Sequence, residues 1–249
     1  MNASLPRAWS QLIAMNRALL RALVLVVWTY PAIAAVDLGA QPPSSAAREV
    51  ADWVFSTGDH GGRSVVIVDK QQARVFVLDA AGRFVGAAPV LLGSARGDHT
   101  VPGIGDKPLS QIRPEERTTP AGRFIAEPGV NAQGEDIVWV DYASAVSMHR
   151  VRARVPAERR LQRLASATPH DNRISYGCIN LPRHFYENIL APRARTGAVV
   201  YVLPEVRSLQ EVFGWPGTPA LAVSRRAVPD GAVRQRLRTP TDGTGVAAH

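Results

Sequence analysis

Three apolar runs separated by short turns constrain this chain more than any other feature. Residues 64–68 and 73–78 are rich in valine and other β-formers, and Asp69-Lys70-Gln71-Gln72 lies between them. Branching at Cβ restricts χ1 in a way that suits a pleated surface better than a helix. The turn-like segment between two such runs is the pattern of a hairpin. A second turn, Asp79 to Arg83, leads into a third run at residues 84–92, so the spacing predicts an antiparallel meander. Further strands are predicted at 122–126, 136–142, 145–149 and 198–203. The fold class that follows is mainly β, a sandwich or meander with short peripheral helices. One helix is expected at 46–55, with Val50, Trp53 and Val54 on one side and Ser44 or Ser45 as cap, packing at the domain edge. A second opens at Pro156 and runs through Leu161, Leu164 and Ala165, and a third covers 182–190. Residues 93–120, rich in Gly, Pro and charge, read as a long loop over the sheet, a length that is commonly functional.

The two ends read differently. Arg7, Arg17 and Arg21 precede an apolar run at 22–28 and the triplet Ala32-Ile33-Ala34. A basic segment, a short apolar segment and Ala-x-Ala make residues 1–34 a secretory signal peptide. The run falls short of the roughly 20 residues that span a bilayer, which favours export over anchoring. Residues 35–58 read as linker and short helix. Residues 206–249, with few large apolar side chains towards the end, are expected to be a largely disordered extension.

The chain has 29 basic and 21 acidic residues, a net charge of +8; the first 34 residues hold three arginines and no acid, leaving +5. Only Lys70 and Lys107 are lysines, so arginine carries the charge, and arginine suits bidentate contact with carboxylates and phosphates. No stacking-aromatic pattern accompanies it, which argues against a nucleic-acid partner. The expected peripheral contact is an anionic wall polymer or membrane surface. A single cysteine cannot form an internal disulfide, so the exported domain relies on its core.

That cysteine, Cys178, follows Gly177, and a glycine leaves the approach to a thiol open. The thiolate is the reactive form, and a free thiol titrates near ~8.5. A neighbouring base is therefore required, and His149, His170 and His184 are the candidates by sequence. The competing reading is a buried cysteine acting as a small hydrophobe. His60 and His99 lack ligand spacing, so no metal site is expected.

Thr119-Pro120-Ala121-Gly122-Arg123-Phe124, then His149, then Ser175-Tyr176-Gly177-Cys178-Ile179-Asn180 resemble, in that order, the L,D-transpeptidase catalytic domain of the YkuD type. The resemblance covers residues 64–203 and implies a catalytic domain at 59–205. It implies Cys178 as nucleophile, His149 as general base, Ser175 as the side chain that fixes the turn, and the N–H groups of Gly177 and Cys178 as oxyanion donors. Tyr176, Asn180, Arg150 and Arg173 are the expected substrate-binding residues. The implied substrate is the peptidoglycan tetrapeptide stem, attacked to give a thioester acyl-enzyme in the periplasm or cell envelope, with no cofactor. The same acyl-enzyme can pass its acyl group to a stem amine, to water, to a D-amino acid or to a protein lysine. A wall-binding module without turnover is the reading from another class. Two departures stand out: the family usually has His where this chain has Tyr176, and positions 149 and 178 are farther apart than the family's common spacing. The extra length is arginine-rich, with Arg150, Arg152, Arg154, Arg159, Arg160 and Arg163, either a solvated face or a cradle for stem carboxylates.

Overall fold

The computed structural model describes Val36, Leu38, Gly39 and residues 42–214. The expected signal peptide at 1–34 and the tail beyond Gly214 lie outside the described residues. Among the described residues ten strands form: β1 (Ser64–Asp69), β2 (Arg74–Leu78), β3 (Phe84–Pro89), β4 (Leu92–Gly93), β5 (Gly122–Val130), β6 (Asp136–Asp141), β7 (Val146–Arg150), β8 (Arg173–Ser175), β9 (Ile179–Leu181) and β10 (Ala198–Val202). Eight of them make one mixed sheet in the order β3-β2-β1-β10-β5-β6-β7-β9, and β4 pairs with β8. The expected meander is β1-β2-β3, antiparallel throughout. A second meander, β5-β6-β7, joins it through β10, which runs parallel to β1 and antiparallel to β5. Leu91, just past β3, exchanges two 2.9 Å backbone hydrogen bonds with Asn180 of β9. The two edges of the sheet thus meet, and it curls nearly into a barrel.

Alternation along the central strands divides the core in two. Val66, Val68, Val75, Val77, Val200 and Val202 point inward, with Met148, Ile179, Leu181 and Tyr186. Val65, Ile67, Phe76, Leu78, Val199 and Tyr201 point the other way. Both sets are fully buried. The outer set is covered by α1 (Ser45–Thr57), whose Ala47, Val50, Ala51 and Val54 face it. The helix expected at the domain edge therefore lies across a sheet face: left bare, Ile67, Phe76 and Leu78 would each forgo about 1.5–3 kcal/mol of burial. Ser44 caps α1 by accepting from the Ala47 N–H.

The run expected as one strand over 84–92 breaks at Val90, because β4 leaves β3 to pair with β8. The expected long loop is not bare: it holds three single 3₁₀ turns, Ile104–Asp106, Leu109–Gln111 and Pro114–Glu116. Pro156 opens a 3₁₀ turn, Pro156–Glu158, and α2 (Arg160–Ala165) follows. The helix expected at 182–190 is α3 (Arg183–Phe185), a π-helical turn (Tyr186–Leu190) and α4 (Ala191–Arg195). It runs past Pro192, which follows a turn where the i→i−4 ladder is already interrupted. After the last strand comes α5 (Leu209–Phe213), with a capping box between Ser208 and Glu211. Its Phe213 is buried in the outer core, so the described start of the 206–249 extension is ordered. No described helix is long and apolar enough to cross a membrane.

Candidate active site

The register of two parallel strands builds the site. β7 and β9 pair with Met148 opposite Ile179 and His149 opposite Asn180. Met148 and Ile179 enter the inner core, so their neighbours emerge on the other face. His149 and Asn180 share that face with Ser147 and with Cys178, the residue just before β9. The Cys178 Sγ lies 3.6 Å from the Ser147 Oγ and 3.6 Å from the Ala145 carbonyl oxygen. Register alone thus brings together a thiol and an imidazole that are far apart in sequence.

The turn carrying Cys178 is held from several sides. The Ser175 hydroxyl donates to the Cys178 carbonyl at 2.6 Å and accepts from the Gly177 N–H at 3.1 Å. Thr119 donates to the Gly177 carbonyl at 2.8 Å and accepts from the Gly93 N–H at 2.9 Å. Glycine is required at position 177: its φ is 128°, and a Cβ there would lie 2.8 Å from the Thr118 carbonyl oxygen. Gly93 is similarly confined, with a Cβ reaching 2.2 Å from the Arg117 carbonyl oxygen. The Thr-Pro-x-Gly stretch of the long loop is therefore packed against the cysteine turn.

His149 is half-buried, and its Nδ1 lies 2.8 Å from the Arg150 carbonyl oxygen. A carbonyl only accepts, so Nδ1 carries the proton and the neutral ring presents the lone pair of Nε2. Asn180 Nδ2 sits 3.2 Å from that Nε2. Burial pushes the Cys178 thiol up, but the hydrogen bond and charge of His149, helped by Ser147, outweigh it and hold the thiol below its ordinary value. The arrangement can generate a thiolate and accept its proton.

The other expected site residues divide. Ser175 and Gly177 frame the turn, and the Gly177 N–H, one of the two expected oxyanion donors, is taken by the Ser175 hydroxyl. Tyr176 is exposed, with the Arg117 guanidinium 4.1 Å from its ring centre. Asn180 is buried and serves the imidazole rather than an open pocket. Arg150 pairs with Asp136 and Glu187 and lies over the Tyr186 ring, which leaves it no free fork for a substrate. Arg173 is bound to Glu205 and to the Lys70 carbonyl, a fastening inside the domain. Most of the arginine-rich excursion is likewise paired: Arg152 and Arg154 with Glu135, and Arg163 with the carbonyls of Glu158 and Asp171. His170 and His184 are exposed, and His184 meets Asn188.

Sequence reasoning passed over Ser147 and Lys70, and weighed Arg160 only with its neighbours as a solvated face or a cradle for carboxylates. Ser147 touches the thiol. Arg160 donates to Asn180 Oδ1 at 2.7 Å. Lys70, wholly buried, donates to Asp98 at 2.7 Å and to the carbonyls of Gly97 and Thr119 at 2.6 and 2.9 Å, with Glu205 at 3.7 Å. It fastens the long loop next to Thr119. Among the described residues no group of three or more His, Cys, Asp or Glu is placed to hold a metal ion.

No protein-family model matches the chain, and no curated protein matches it. Among solved structures it is similar to the catalytic domain of the Enterococcus faecium L,D-transpeptidase, at 16% identity and a TM-score of 0.34 over 57% of this chain and 98% of that one. It is similar to an L,D-transpeptidase from Mycobacterium smegmatis at 16% identity and a TM-score of 0.32, over 57% and 58% of the two chains. It is also similar to the helical cell shape determining protein Pgp2 from Campylobacter jejuni, at 14% identity and a TM-score of 0.36, over 62% and 55%. The chain thus spans little more than half the length of the last two. At these values none of them assigns this chain a reaction.

Proposed function

We propose that the chain is an exported cysteine acyltransferase of the L,D-transpeptidase type, acting on the tetrapeptide stems of peptidoglycan. One observation carries the reading: Cys178, its thiol held below the ordinary value, shares a strand-register face with an imidazole whose tautomer is fixed by the Arg150 carbonyl. The ordered motifs around Thr119, His149 and Cys178 supply the substrate class. Cys178 gives its proton to His149 Nε2 and attacks the carbonyl carbon of the stem's diamino-acid residue. The Cys178 N–H faces the oxygen that gains charge. Collapse breaks the C–N bond, and His149 returns the proton to the departing D-alanine amine, leaving a thioester. An acceptor amine then attacks, loses its proton to His149 and forms the new amide while the thiol is regenerated. No step calls for a metal or cofactor.

Incubation with purified tetrapeptide muropeptides, followed by mass analysis, tests this. Cross-linked dimers identify a stem amine as acceptor, tripeptides identify water, and exchange of the terminal residue identifies a D-amino acid. Absence of every one of these with the wild-type protein, or their persistence with Cys178→Ala, refutes the proposal.

A further inference from the structure

The excursion between His149 and Cys178 encloses a cavity of about 320 Å³, lined by Arg159, Gln162, Arg163, Ser166 and Asp171. That volume lies at the small end of ligand pockets and suits a group of amino-acid size. Its arginines differ from the others of the excursion. Arg150, Arg152, Arg154 and Arg160 each pair with an acid. Arg159 and Arg163 form no ion pair among the described residues, and both line the cavity. Arg163 donates from Nε to the Glu158 carbonyl and from Nη1 to the Asp171 carbonyl, both at 2.8 Å, which fixes the guanidinium and leaves Nη2 over. Arg159 is exposed at a φ of 52°, a left-handed conformation that glycine or asparagine adopts at lower cost, so the backbone does not account for an arginine there. The Ser166 and Thr168 hydroxyls both donate to Asp171 Oδ2, which steadies that carboxylate and leaves Oδ1 over.

Two guanidinium groups without acids are a receptor for a carboxylate. Asp171 in the same lining repels a simple carboxylate, and that repulsion turns to attraction when the ligand also carries a cation. A group with an ammonium on the carbon next to its carboxylate satisfies both signs. We propose that this cavity binds such a zwitterionic amino-acid end, with Arg159 and Arg163 taking the carboxylate and Asp171 the ammonium. The walls of the cavity continue into the candidate site. Arg160, beside Arg159 on α2, donates to Asn180 Oδ1 at 2.7 Å, and Asn180 lies 3.2 Å from His149 Nε2. Asp171 leads directly into β8 and the cysteine turn. On the acyltransferase reading, and resting on it, the cavity selects the acyl acceptor: a D-amino acid or the side-chain end of diaminopimelate carries both charges, whereas the side-chain end of lysine is a bare ammonium. Binding itself is independent of that reading and is measured without turnover.

The test is an NMR titration of the full chain with D-alanine, propionate and ethylamine. D-Alanine is expected to bind saturably and about tenfold more tightly than propionate, which lacks the ammonium, or ethylamine, which lacks the carboxylate, the scale of one hydrogen bond to a charged group. Arg159→Gly removes the guanidinium and suits the left-handed backbone, so it is expected to weaken D-alanine binding about tenfold without lowering the melting temperature. Asp171→Asn is expected to bring D-alanine down to the level of propionate. The tripeptide L-alanyl-γ-D-glutamyl-meso-diaminopimelate distinguishes the two sources of such an end: binding tighter than that of D-alanine supports a stem as the ligand, and weaker binding supports a free amino acid. Propionate binding as tightly as D-alanine, no saturable binding of either zwitterion, or an unchanged affinity in Arg159→Gly overturns the proposal. If Asp171→Asn does not fold, Arg159→Gly decides alone. Failure of turnover with muropeptides would leave this titration unaffected, so the two proposals fail separately.

Discussion

Replacing Lys70 by methionine removes an ammonium that is fully buried and makes three short hydrogen bonds, to Asp98, Gly97 and Thr119. Methionine fills a similar volume, so the loss is chiefly electrostatic. Burial lowers the lysine's proton affinity while Asp98 and Glu205 support its charge. Removing one partner of a buried pair costs about 3–5 kcal/mol, because the other charge stays buried and uncompensated. Asp98 keeps the backbone N–H groups of Glu205, Val206 and Arg207 at 2.9, 2.9 and 2.7 Å, and Glu205 keeps Arg173. The expected loss is therefore at the lower end, about 3 kcal/mol, a large share of the roughly 5–15 kcal/mol that holds a domain together. Urea unfolding at neutral pH measures it, with an unchanged m-value showing that the denatured state is not the cause. The double variant Lys70→Met with Asp98→Asn should cost less than the two single changes summed, since the stranded charge is gone. A loss under about 1 kcal/mol for Lys70→Met would refute the idea that this network fastens the long loop.

Other outcomes follow from the same contacts. Asp98 is held at about 2, against its burial, by Lys70 and backbone N–H groups. A carboxylate with a lowered folded pKa stabilises the fold above its unfolded value near ~4 and loses that contribution as pH falls through about 2. Melting temperature should fall over that window, and Asp98→Asn should flatten the fall. Thr119→Val should lower turnover while changing stability by only about 1–3 kcal/mol, because it frees the Gly177 carbonyl that positions the cysteine turn. Unchanged turnover would show that the turn holds itself. Phe213→Ala should cost about 3 kcal/mol in urea unfolding, since that ring is buried in the outer core. A neutral result would mean that α5 contributes nothing to the core.

Legibility in the sequence followed how local each cause is. β1 and β2 could be read because Val65 to Val68 and Val75 to Leu78 combine strand-forming residues with flanking turns. β8 and β9 could not, since three residues show no period and their pairing depends on β4 and β7. The apolar side of α1 was visible, but its position was not, because it is set by Phe76, Leu78 and Tyr201 emerging on the outer face of the sheet. At the site, His149 and Cys178 stood out through the motifs around them. Arg160 did not, for it resembles its neighbours in a basic run and its partner Asn180 lies on another element. Lys70 sits in what reads as an ordinary hairpin turn, and its partners Asp98 and Glu205 lie far along the chain. Arg150 and Arg173 suggested substrate contact by charge alone, whereas nearby acids in the fold already occupy them.

The central claim is that Cys178 takes the acyl group covalently with His149 as its base. The direct measurement is intact-protein and peptide mass spectrometry after brief incubation with tetrapeptide muropeptide and acid quench. The account predicts an added mass equal to the whole muropeptide minus its terminal alanine, located on the Cys178 peptide. It predicts that the adduct forms far more slowly in His149→Gln at neutral pH and is absent in Cys178→Ala. A wild-type protein that turns over the muropeptide with no adduct on Cys178, or an adduct formed at the wild-type rate in His149→Gln, would contradict it.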